Sequence, residues 1–280
     1  MATAFKQSRE KWLDDRITAG RYGISGEVVK LTPDLAQAIL DRNPDNRNIN
    51  KTRVGIYAND IAEGRWALNG EPIIISSEGF CNDGQHRCAA VVESGIPIDT
   101  LIVFGVDRET RNTTDQGRSK GPADYLSMEG FKNATVVAGI ARIAVCYERT
   151  GSVLGLSLTS SQQILDYIQA NQNLVESSAA FARSYKTNLH RMIAESGFGF
   201  CFNVTRQISE HGAREFLNAV ATGENLSASD PALAVRNRLI SMGKAGRAAK
   251  IEAVFHGWNA FRRGRPLSFI RVNGKLPDLV

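Results

Sequence analysis

The sequence predicts an α+β chain in which a small α/β unit is followed by an all-α unit with a basic C-terminal segment. Short β-branched runs alternate with helical patterns between Glu27 and Phe104. From Asn133 onward the strand signals nearly vanish. The 280 residues also exceed one ordinary α+β domain and suit two. The expected divisions are an N-terminal extension over 1–26, an α/β domain over 27–125 and a helical domain over 126–280.

Glu27–Leu31 reads as a strand, and Thr32-Pro33-Asp34 as an N-cap, a first-turn proline and an acid at a helix start. Leu35, Ile39 and Leu40 share one face of that helix. A second helix starts after Asn50 with Val54, Tyr57 and Ile61 on one side, and stops at Gly64. Pro72–Ile75 is a strand, Asp83–Glu93 a helix with Asp83 as its cap, and Leu101–Phe104 a closing strand. Beyond them, Ala134–Tyr147 is apolar at helical spacing, and Ser160 or Ser161 caps a helix carrying Ile164, Leu165, Tyr167 and Ile168. Further helical patterns run through 174–190, 199–210, 212–221, 231–242 and 246–263, with 267–270 a candidate terminal strand.

Apolar residues make up 42% and charged residues 22%, which excludes disorder as the dominant state. No apolar run approaches the ~20 residues a membrane span needs, and the first residues lack the apolar core of a secretory signal. Cys81, Cys88, Cys146 and Cys201 show no C-x-x-C spacing, so neither zinc nor a disulfide scaffold is expected, and a reducing cytoplasm is. The net charge of +5 is uneven: residues 1–130 hold 16 basic against 19 acidic residues, the remainder 18 against 10. That imbalance points the C-terminal half toward a polyanion.

Asp83-Gly84-Gln85-His86-Arg87-Cys88-Ala89-Ala90 carries the chemistry. A glycine after an extended segment and at a helix start lets another group approach the backbone. The free N–H groups and dipole of the first turn, joined by Arg87, favour an anion. The plainer reading is a capped helix whose arginine meets a carboxylate.

This run resembles the phosphate-binding motif of the ParB N-terminal domain and sulfiredoxin, G-E-R-R and G-C-H-R in those families. The order of elements over residues 27–106 is similar too. The helical half, ending near Trp258-Asn259-Ala260-Phe261-Arg262-Arg263, resembles the ParB-like proteins of phage genomes. The resemblance implies that Gly84, Gln85, His86 and Arg87 cradle nucleotide phosphates. Arg53 falls where sulfiredoxin has a helical lysine facing them. Similar Asp-Gly-x-His-Arg runs occur in DNA-modification proteins and a free-serine kinase of that superfamily. Gln85 departs from the reactive cysteine of sulfiredoxin and the glutamate of ParB, and His86 from an arginine. Sulfinic acid reduction therefore does not carry over, and CTP specificity and hydrolysis do not carry over automatically.

The expected protein thus binds a nucleotide, ATP or CTP with Mg²⁺, in a DNA-linked phage or mobile-element process in the host cytoplasm, with hydrolysis open. One alternative is a Mg²⁺-dependent phosphotransferase in which Asp83 holds the metal and Glu71 is the base. Another is a DNA-binding protein without catalysis. Arg118 and Lys120 in a Gly-rich loop, and Arg247, Lys250, Arg262 and Arg263 in the helical half, are the DNA-backbone candidates. Phe255, Trp258 and Phe261 are core residues on this reading. A homodimer is open, and no membrane is expected.

Overall fold

The computed structural model describes residues 2–44, 46, 48–113 and 120–280, which divide into two compact units, 1–119 and 120–280. Each combines with the expected mixed class: strands are confined to the first unit among the described residues, and the second is helical.

In the first unit four strands, β1 (Ser25–Leu31), β2 (Pro72–Ser76), β3 (Cys81–Asp83) and β4 (Ile98–Val106), form one sheet in the order β1-β4-β2-β3. β4 is antiparallel to β1 and parallel to β2, while β2 and β3 form a hairpin. Alternation along β4 buries Ile98, Thr100, Ile102 and Phe104 on one face. Helices α1 (Ala2–Gly20), α2 (Pro33–Leu40), α3 (Lys51–Ala62) and α4 (Gln85–Ser94) supply the rest of the core. Thr32 and Asn50 cap α2 and α3 through their side-chain oxygens, as the turn chemistry predicts.

The segment read as an N-terminal extension contributes to this core. Leu13 is fully buried and Ile17 nearly so, and Trp12 stands edge-on to Phe104 with ring centroids 6.0 Å apart. Gly20 meets β4 at Gly105 so closely that a Cβ on Gly105 would lie 2.4 Å from the Gly20 carbonyl oxygen. β3 is the extended segment expected before Gly84; at three residues closing a hairpin it is too short to show a strand period of its own.

The second unit comprises α5 (Pro122–Met128), α6 (Ala134–Thr150), α7 (Ser161–Ala170), α8 (Gln172–Ser184), α9 (Glu195–Ile208), α10 (Glu210–Thr222), α11 (Pro231–Ser241) and α12 (Arg247–Arg262). Helix α5, which spans the boundary expected between 125 and 126, lies wholly within the helical unit. α6 and α9 are buried on most sides, α9 through Phe198, Phe200, Cys201 and Phe202. Phe181 stacks on Phe202 with centroids 3.9 Å apart, and Phe255 and Trp258 are fully buried as core residues.

Residues 267–270 form no strand, a correction to the expectation. Only Ile270 of this stretch is buried, and the backbone bonds of the tail go to isolated acceptors on other elements. The Leu267 N–H donates to the Ser229 carbonyl at 2.9 Å, while those of Asn273 and Gly274 donate to the buried Glu252 carboxylate at 2.6 and 3.0 Å. Trp258 Nε1 donates to the Val280 carbonyl and Asn259 Nδ2 to that of Asp278. Glu252→Gln leaves one of the two tail N–H groups facing an amide NH₂ and should weaken this anchorage by about 1–3 kcal/mol. Hydrogen exchange should then quicken over 270–280 and stay unchanged in α9.

Candidate functional site

The motif lies where β3 turns into α4. Asp83 ends β3 and Gly84 follows with φ +103°, so the helix begins at Gln85 with no side-chain cap. The expected cap by Asp83 is thus not made. Its carboxylate instead pairs with Arg87 one turn on, Oδ2 to Nη2 at 3.2 Å. The close approach inferred at Gly84 is real, but the approaching group belongs to the fold: a Cβ there would lie 2.7 Å from Ile73 Cγ1 on β2.

Arg87 faces the sheet. Its Nη1 donates to the Glu71 carbonyl at 2.6 Å and its Nη2 to the Pro72 carbonyl at 2.8 Å. The side chain is 11% exposed. The guanidinium therefore ties the start of β2 to the start of α4. Glu71 contributes its main-chain carbonyl to this junction, and the residue is exposed.

Gln85 and His86 are buried. Asn43 Nδ2 donates to Gln85 Oε1 at 2.8 Å, and the Asn50 N–H donates to His86 Nε2 at 3.0 Å. The Asn50 N–H thereby takes the Nε2 lone pair of His86 as its acceptor. The Asn50 side chain accepts from the Arg53 N–H at 3.1 Å. Asn50 therefore joins the N-termini of α3 and α4. Neither helix has an acid in its first turn, and Arg53 stands exposed on the first turn of α3.

A second set of polar residues supports this corner. Arg108 is 9% exposed and donates to the Cys81 carbonyl and Asn82 Oδ1 at 2.9 Å each, and to the Pro44 carbonyl at 2.6 Å. Asn46 Nδ2 donates to the Cys81 carbonyl at 2.8 Å and also to Asn43 Oδ1. Arg108 sits just after β4 with no motif around it, so nothing in the sequence marks it as part of this corner. Of the asparagines read as a polar loop, Asn43 and Asn50 latch onto α4 through Gln85 and His86.

The remaining candidates are dispersed. Arg118 lies outside the described residues, and Lys120 is exposed. Arg247 and Lys250 occupy the start of α12 and Arg262 and Arg263 its end, about 20 Å away at 1.5 Å per residue. Burial and the nearby Arg142 both push the Arg247 guanidinium below its ordinary pKa.

Among the described residues no three His, Cys, Asp or Glu side chains stand close enough to hold a metal ion. No helix among the described residues is long and apolar enough to cross a membrane. The four thiols are buried and unpaired. Burial pushes Cys81 up to about 12 and Cys88 and Cys201 well above the ordinary thiol value. They should therefore resist a thiol reagent in the native state and react promptly in denaturant. No family model, curated protein or solved structure matches the chain.

Proposed function

We propose that the first unit is a ParB/sulfiredoxin-like domain that binds a phosphorylated ligand, a nucleoside triphosphate, where the N-termini of α3 and α4 meet, in service of a DNA-linked process. The observation that carries this reading is the junction at Asn50. Two helix starts without first-turn acids, one lacking a side-chain cap, turn their positive ends toward one corner beside Arg53. Arg87 and His86 act from behind that corner, Arg87 holding the turn to the sheet and His86 holding the asparagine loop to α4.

One contact supports phosphoryl transfer as a second reading. Arg87 binds the Asp83 carboxylate and the Glu71 main-chain carbonyl, so the candidate metal ligand and the backbone of the candidate base adjoin one guanidinium. Mg²⁺ commonly takes one or two carboxylates and completes its shell with substrate phosphates and water. A single Asp83 fits that donor set, and the metal would supply charge neutralisation at the phosphates.

Thermal stabilisation by ATP, CTP, GTP and UTP, with and without Mg²⁺, tests both readings. A ligand at ~100 times its Kd should add about 2.7 kcal/mol. Arg53→Ala should weaken the effective nucleotide at least tenfold while leaving the unliganded midpoint within about 0.5 kcal/mol, as expected for an exposed residue. A shift that requires Mg²⁺ and is lost in Asp83→Asn favours transfer. No shift with any nucleotide removes the reading.

A further inference from the structure

The helical unit contains a cationic cavity that the nucleotide reading leaves unused. Its volume is about 320 Å³, and Lys186, His190, Arg191, Glu195, Gly243 and Lys250 are among its lining residues. It lies between the α8–α9 connection and the α11–α12 turn.

The charge around it is one-sided. No Asp or Glu occurs from Ser177 to Ala194 or from Pro231 to Ile251. Glu195 is the acid in the lining, and Arg183 occupies both its oxygens at 3.2 and 2.9 Å. Lys250 Nζ gives one bond to the Gly243 carbonyl at 2.7 Å, leaving two donor positions on the ammonium. Arg191 is held at φ +64°, a left-handed conformation that costs an arginine on the order of 1 kcal/mol, and there it lines the cavity with His190. The adjoining helices α9 and α12 start at Ala194 and Gly246 with no side-chain cap, so neither positive helix end is met by a side-chain oxygen at its cap.

The positive surface extends past the cavity. Arg247 lies over the first turn of α9, where a Cβ on Gly197 would stand 3.7 Å from its Cγ. On α6, one turn before Arg142, Gly139 packs against Ser196 in that same first turn of α9, and Arg247 is lowered in pKa first by burial and then by repulsion from Arg142. A single small anion would satisfy the cavity and leave that second pair of cations opposed. A chain of regularly spaced phosphates would meet both.

We propose that this face grips the phosphodiester backbone of a nucleic acid, with one phosphate seated among Lys186, His190, Arg191 and Lys250 and a neighbouring one on Arg142 and Arg247. The proposal rests on the DNA-linked part of the reading above and is independent of the nucleotide corner.

Fluorescence anisotropy of a labelled DNA duplex titrated with the full chain over a series of salt concentrations provides the test. Lys186→Glu with Arg191→Glu should weaken binding at least tenfold and flatten the dependence on log salt by about 1–2. Arg149→Glu, exposed at the far end of α6, should change binding less than about twofold. Lys186→Met, at an exposed position, serves as the probe if the double variant loses its melting midpoint. Absence of duplex binding at low salt overturns the proposal. So does equal weakening by Arg149→Glu. Release of the duplex by inorganic phosphate far beyond chloride at matched ionic strength would assign the cavity to free phosphate and overturn it too. Nucleotide stabilisation, read through Arg53→Ala, should be the same in all these variants, so either reading can fail alone.

Discussion

Gly84→Ala is expected to destabilise the first unit by about 3 kcal/mol or more, adding backbone strain of ~1–3 kcal/mol to overpacking of ~1–3 kcal/mol. Gly84 has φ +103°, where an L side chain is strained, and its Cβ would meet Ile73 Cγ1, Cγ2 and Cβ at 2.7, 3.0 and 3.1 Å. Ile73 is fully buried on β2, so it has no solvent side to retreat to. Gly95, at the other end of α4, isolates the strain: its φ is +68° and nothing stands within 4 Å of an added Cβ. Gly95→Ala should therefore cost only about 1 kcal/mol. Urea unfolding compares the two variants, and hydrogen exchange at β2 and β4 locates the loss. If Gly84→Ala is no worse than Gly95→Ala, Ile73 yields and the β2–α4 junction is softer than its packing implies. That outcome would also return the glycine to the role its sequence position suggests, room for a ligand.

The helices were legible in the sequence where a cap or a sustained period marks them. Thr32, Asn50 and Ser160 cap helices that start within a residue of their expected positions. The long apolar pattern of Ala134–Tyr147 and the aromatic spacing around Trp258 resolve into buried helices for the same reason. What lacked a local signal was missed. The packing of α1 rests on Trp12, Leu13 and Ile17, too sparse to separate from a polar extension. Leu267–Ile270 has the composition of a strand, while the fastening of the tail depends on Glu252, Trp258 and Asn259 of a helix. At the motif the sequence located the right turn but could not say which way Arg87 points. Residue type and spacing are the same for an arginine that faces a ligand and one that faces its own sheet. The two carbonyls that decide the matter, those of Glu71 and Pro72, are main-chain groups with no signature at all.

That orientation changes what Arg87→Ala reports. Were Arg87 a clamp on phosphate, its removal would abolish binding and leave the unliganded fold intact. Its guanidinium instead supplies hydrogen bonds to two carbonyls and the Asp83 carboxylate, with the side chain 11% exposed. Hydrogen bonds from charged donors contribute about 1.5–3 kcal/mol each and do not add fully when they share one group. Arg87→Ala should thus cost the unliganded unit about 2–4 kcal/mol. It also leaves Asp83 without its cation. Arg87→Lys should recover only part, because a single ammonium cannot span donors aimed at Glu71, Pro72 and Asp83 together. Denaturant midpoints of the three chains without nucleotide decide between the roles: a midpoint for Arg87→Ala equal to that of the unmodified chain would make the arginine a ligand group after all. With the expected drop, lost nucleotide binding in Arg87→Ala says nothing about contact with phosphate. Arg53, exposed beside the same corner and tied to Asn50 through a main-chain N–H that alanine keeps, is then the residue whose removal separates binding from folding.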